Sequence, residues 1–243
     1  MSRALPRCMY NSRPSSMLYY VSFSLLILAA ISCLILAYLL QHTQNTFPVI
    51  SATYILYPER LIFSLGITYF VAIQYVFFHP ISKFFTTPRI TPASTLSPII
   101  TNIDDLHSVS LILLYLVGWM PDVIFYGIHS ILAITLFVSL LHLQYCIYKL
   151  SVVLYGPKSV LTRFRFILYL LSCAMLAAIP LVVPWSFIRE FLGSSGHIRY
   201  ILLTHDPRIF WVAIFEWLYA ILCLVHLASL GYEINNNKKI SQE

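Results

Sequence analysis

Charge is scarce in this chain: Asp, Glu, Lys and Arg make up 10% of its 243 residues, while 59% are hydrophobic. Mean hydropathy is +0.81, and the apolar residues come in unbroken blocks instead of alternating with polar ones. That pattern excludes an ordinary water-soluble domain and points to a polytopic helical membrane protein. Cysteine is sparse too. Cys33, Cys146, Cys173 and Cys223 lie within or at the ends of apolar runs and Cys8 near the N-terminus, so no disulfide framework is available. Cys8 is readable as a palmitoylation site or as an inert thiol. The chain has no N-glycosylation sequon, no internal repeat and no His-x4-Asp run of the kind found in acyltransferases.

Six apolar runs are long enough, or nearly so, to cross the roughly 30 Å hydrocarbon core, for which about 20 residues are needed. They cover about 18–40, 61–78, 106–120, 123–148, 166–187 and 209–230. The first is too long for a signal-peptide core and is read as a retained span. The third is short, unless it begins before Asp104 and Asp105; those acids otherwise look like a helix start, placed favourably against the helix dipole. Pro121 and Asp122 make a tight turn into the fourth span, and Pro180 and Pro184 should kink or end the fifth. The expected fold is all-α: a single membrane domain over 1–243, a six-transmembrane-helix bundle followed by a polar tail at 233–243.

Basic residues orient the bundle. Of the 15, 11 fall on one side of the six spans and Arg60, Arg189, Arg199 and Arg208 on the other, which makes both termini cytoplasmic by the positive-inside rule. Segments 41–60 and 188–208 and the Pro121 turn then face a lumen or the exterior. The net charge of +6 needs no nucleic acid to explain it; clusters flanking spans are topogenic and can meet anionic lipid.

Glu216 stands inside the sixth run, where an ionisable group costs a few kcal/mol and is kept facing a partner or a wet cavity. His129 lies about as far into the fourth span from the same side, both roughly 10 Å below the surface at 1.5 Å per residue. An imidazole and a carboxylate at equal depth would lower each other's desolvation cost, so the two are candidate catalytic residues. The alternative is that each is a structural clamp between helices, a role that contributes only about 1 kcal/mol. His142 and His226 lie roughly 26–30 Å in, near the opposite ends of the same spans. A zinc site from His129, Glu216 and His226 is therefore geometrically poor, and no metal or other cofactor is implied.

The segment before the second span, Phe47-Pro48 through Ser51 to Pro58-Glu59-Arg60, carries two prolines and an ion pair. It reads as an ordered loop on the bilayer surface with Arg60 offered to a lipid phosphate. The plainer reading has Glu59 opposing the helix dipole and Arg60 snorkelling.

The Pro48-x-Ile50-Ser51-Ala52 and Pro58-Glu59-Arg60-x-x-Phe63 pattern resembles the Frag/DRAM/Sfk family of six-span membrane proteins. Phe215-Glu216-Trp217 followed by His226 and Tyr232-Glu233 is similar to that family's last helix. His129 and His226 lean towards its branch containing post-GPI attachment to proteins factor 2 and the N-terminal region of cell wall biogenesis protein 43. The resemblance implies remodelling of glycosylphosphatidylinositol (GPI) anchors in the Golgi apparatus or endoplasmic reticulum membrane, in which lyso-GPI is reacylated with a saturated fatty acid on the lumenal side. The chain would be required for that step or catalyse it. Its partners would then be GPI-anchored proteins or lyso-GPI lipid, together with membrane lipids. His129 and Glu216 would be the catalytic candidates, and Ser51, Glu59, Arg60 and His226 the lipid-binding ones.

Two departures stand out: residues 53–57 here run Thr-Tyr-Ile-Leu-Tyr where the family tends to a small polar turn, and the His205 to Arg208 stretch lacks a cysteine often seen there. The alternative function is that of a non-enzymatic membrane organiser of the DRAM or Sfk type, modulating autophagy or scaffolding phosphoinositide kinase through its cytoplasmic face.

Overall fold

The computed structural model describes residues 16–43, 48–50, 53, 55–85, 93–120, 122–182 and 207–240, with backbone alone at 93–97, 122–127, 207–209 and 236–240. The described residues are helical throughout apart from short connections. The helices are α1 (Ser16–Leu39), α2 (Glu59–Phe78), α3 (Ala93–Trp119), α4 (Asp122–Tyr155), α5 (Val160–Val182), α6 (Pro207–Ala228) and α7 (Gly231–Ile240), with a 3-10 turn at Ile81–Phe84. Six of them, α1 to α6, are long and apolar enough to cross a membrane. The six-span, all-α expectation holds.

Consecutive helices pack as neighbours, and the row closes on itself because α6 and α7 both lie against α1. The Tyr19 hydroxyl seals that seam by donating to the carbonyl of Leu227 at 2.8 Å. Six spans put both chain ends on one side, called here the terminal face; the opposite side is the distal face. Apolar residues such as Leu28, Ile35, Val76, Ile112, Ile134 and Ile167 point outward, as lipid-facing positions should. Polar side chains are turned inward. Gln74 donates to the Ser22 hydroxyl at 2.7 Å, and the Ser64 hydroxyl to the Gly118 carbonyl at 2.6 Å, joining α1 to α2 and α2 to α3. Without water between helices such bonds and close packing hold the bundle together. Gly66 serves the second purpose, since a Cβ there would collide with the Cβ of Ala29 on α1.

Of the two alternatives for the third span, the structure has the longer one: α3 begins at Ala93 and carries Pro98 and both aspartates inside it. The Asp104 carboxylate instead accepts the amide of Ser82 at 2.9 Å, and the Ser82 hydroxyl as well, so it caps the 3-10 turn. Pro180 lies inside the fifth helix, two residues before Val182, the last one described there, and Pro184 lies outside the described residues. The stretch read as a polar tail starts with a folded helix, α7, whose Glu233 is buried.

Candidate functional site

Polar groups collect at both ends of the ring. On the distal face the link between α1 and α2 folds back onto α6. Nine residues into α6, about 13 Å by helical rise, the Glu216 carboxylate accepts the amide of Ile50 at 2.9 Å. One residue on, the Trp217 indole donates to the carbonyl of Pro48 at 3.0 Å. The Thr53 hydroxyl closes a local turn on the Ile50 carbonyl at 2.7 Å. Non-helical backbone at membrane depth survives only where protein satisfies its hydrogen bonds. Glu216 and Trp217 do so here, one for a donor and one for an acceptor.

The bonds described for His129 and Glu216 go to different segments. His129 is buried, and its Nδ1 faces the carbonyl of Met120 at 3.2 Å, across the α3–α4 turn. Glu59 is also buried, with 1% of its side chain exposed, and it pairs with a residue the sequence had not marked: His42 Nδ1 lies 2.6 Å from Glu59 Oε1. The second carboxylate oxygen, Oε2, is buried and has no hydrogen-bond partner among the described residues. Arg60 reaches the carbonyl of Trp119 at 3.4 Å and sits 5.8 Å from the centre of the Tyr57 ring. Ser51 lies outside the described residues.

His42 reaches Glu59 because of how α1 ends. The amide of His42 bonds to Ala37 and that of Gln41 to Tyr38, with Gln41 at φ 57°, the double bond and left-handed residue of a Schellman cap. Glycine is usual there; glutamine accepts the strained region, and the chain reverses so that the imidazole meets the first turn of α2.

At the terminal face the centre is Arg165, fully buried on α5. It bonds both oxygens of Glu233 on α7, at 2.6 and 2.8 Å, and the Ser151 hydroxyl of α4 at 2.6 Å. Its remaining bonds go to the Ser229 hydroxyl at 2.8 Å and the Ser229 carbonyl at 3.0 Å. The cation is thus a pin through three helices and the α6–α7 corner, a role beyond its count among the basic residues of that side. One turn before that corner, His226 is wholly buried, and neither ring nitrogen has a hydrogen-bond partner among the described residues. Burial gives its ring no surface towards bilayer lipid.

Sequence reasoning missed His42, Arg165 and Glu233. For Arg165 a signal existed: Thr162, Arg165, Leu168 and Ser172 recur at helical spacing and form the buried stripe of α5. His42 has no local mark, since its partner is 17 residues away across a chain reversal.

Comparison of the chain with protein-family models, curated proteins and solved structures finds no match. The family reading therefore rests on the motifs themselves.

Proposed function

We propose that the chain acts in lipid remodelling of GPI anchors at the lumenal face of Golgi or endoplasmic reticulum membranes, as a factor required for, or catalysing, reacylation of lyso-GPI with a saturated fatty acid. The observation that carries this reading is the joining of its two motif segments. Pro48 and Ile50 from one and Glu216 and Trp217 from the other form a single hydrogen-bonded unit, although 166 positions separate Ile50 from Glu216. Glu59 and Arg60 of the same motif lie at the start of α2, on the distal face, where the lumenal leaflet would lie if the termini are cytoplasmic. The unit is a hydrogen-bonded polar patch within the distal half of the bundle, and Arg60, on the first turn of α2, is a cation suited to a phosphate.

The test is rescue of GPI-anchored reporters in cells lacking the endogenous reacylation activity, with mass analysis of the anchor lipid. The native chain should restore saturated anchors and surface retention of the reporters. Normal expression without any change in anchor composition would overturn the reading.

A second reading has its own observation. Glu233 docks α7 firmly, so the terminal face presents a folded helix ending in Lys238 and Lys239 instead of a loose tail. That is a surface a non-enzymatic organiser could use. Removal of 236–243 would abolish the activity of an organiser and leave lipid remodelling intact.

A further inference from the structure

We propose that His42 and Glu59 form a histidine–carboxylate dyad at the distal membrane surface, with His42 the general base that deprotonates a lipid hydroxyl during acyl transfer; this rests on the lipid-remodelling reading above. Three observations on the two residues agree. The carboxylate is buried while the imidazole keeps 28% of its side chain exposed. Their contact uses His42 Nδ1, at 2.6 Å, and Nε2 makes no hydrogen bond among the described residues. A buried acid that holds one ring nitrogen and leaves the other open to the outside is the arrangement by which a histidine is oriented for proton transfer.

The orphaned Oε2 of Glu59 is the third. A carboxylate placed only to hold the chain reversal together would be expected to satisfy both oxygens, because buried polar atoms without partners are rare in folded proteins and ask for a reason.

Depth favours this dyad over the residues inside the bundle. His42 lies three residues beyond the last residue of α1, and Glu59 is the first residue of α2. Both stand at the distal ends of their helices, the side on which the glycerol backbone of a lipid would lie, whereas Glu216 is roughly 13 Å along its helix. Beside the dyad, Arg60 offers a cation to the substrate phosphate, and Leu56 and Tyr57 expose apolar surface to its chains.

The step balances with a donor that the same leaflet supplies, the acyl ester of a neighbouring phospholipid. The hydroxyl of the lyso-lipid gives its proton to Nε2 as its oxygen attacks the ester carbonyl. A new carbon–oxygen bond forms, and the bond between that carbonyl carbon and the donor's glycerol oxygen breaks. The imidazolium returns the proton to the departing oxygen, leaving a lyso-phospholipid. Glu59 is a positioning residue: it holds the ring and stabilises the imidazolium, without touching substrate.

The experiment has two arms, both with the full chain. In the cells described above, native, His42→Ala, His42→Gln and Glu59→Gln forms are compared for anchor composition at matched abundance. In phosphatidylcholine vesicles with deuterated stearoyl chains, the purified proteins receive lyso-phosphatidylinositol, and labelled phosphatidylinositol is measured with and without added imidazole. The dyad requires a fall in rate of roughly 100- to 10,000-fold for His42→Ala, partial recovery with imidazole, and a loss for Glu59→Gln in kcat more than in KM.

Native function in cells with His42→Ala equally active would overturn the dyad and leave the lipid-remodelling reading standing. No remodelling by the native chain in cells and no transfer in vesicles would overturn both. Loss in His42→Ala that His42→Gln restores and imidazole does not would make the pair a structural clamp, and would also overturn the proposal.

Discussion

Replacing Glu233 by alanine removes the carboxylate from a guanidinium that has no water to turn to. Arg165 and Glu233 are 0% and 1% exposed, so solvent screening is slight. Two of the five hydrogen bonds to Arg165 are lost, at 2.6 and 2.8 Å, and three to neutral oxygens of Ser151 and Ser229 remain. Breaking one side of a buried ion pair costs about 3–5 kcal/mol, chiefly because the surviving charge is uncompensated. At about 2–4 °C per kcal/mol for a chain of this size, Tm should fall by roughly 6–20 °C. Thermal unfolding of the detergent-solubilised protein, followed by intrinsic fluorescence, measures it. Hydrogen exchange should rise selectively in α7, since Glu233 is its buried anchor. The double change Arg165→Met with Glu233→Leu should recover most of the loss, because replacing both charges removes the orphan. A Tm within about 2 °C of native for Glu233→Ala, or a double variant no better than the single, would refute the reasoning.

Glu216→Gln keeps an oxygen for the Ile50 amide and should leave the 48–50 loop protected from exchange, whereas Glu216→Ala should expose it; Trp217→Phe should cost about 1 kcal/mol by loss of the bond to Pro48. Gly66→Val should force α1 and α2 apart at Ala29 and lower stability by about 1–3 kcal/mol, with partial rescue by Ala29→Gly, both read as Tm. Gln41→Gly should raise stability by up to about 1 kcal/mol by removing the cost of a side chain at φ 57°, and no rise would mean that the side chain makes compensating contacts.

The spans were legible because a membrane helix is long, apolar and continuous, and those properties are read one residue at a time. α1, α2 and α6 fall within two residues of their expected limits at each end. The start of α3 was not, because Asp104 marks a helix start only when its carboxylate serves its own helix; here it serves Ser82 in the preceding segment. Depth along a helix was legible too, which is why His129 and Glu216 were read as able to meet. Meeting also needs the right rotation about each helix axis, and packing sets that: Glu216 is turned to Ile50 and His129 to Met120. The same gap hid Arg165. Its position beside a span is equally suited to a free topogenic charge and to a buried pin, and only the polar stripe through Thr162 and Ser172 separates them.

The pin at Arg165 also constrains the order in which the chain can be built. Its acidic partner is 68 residues further along, and the hydroxyl of Tyr19 waits for a carbonyl 208 residues away. During synthesis, then, an arginine and a tyrosine destined for the interior stand beside the membrane with their partners still in the ribosome, while α1 and α2 can already satisfy Ser22 and Gln74 between themselves. The first hairpin can settle early, but the ring cannot close until the last helix emerges. A nascent chain halted between Arg165 and Glu233 exposes an unpaired cation, the kind of mark that separates an unfinished membrane protein from a finished one.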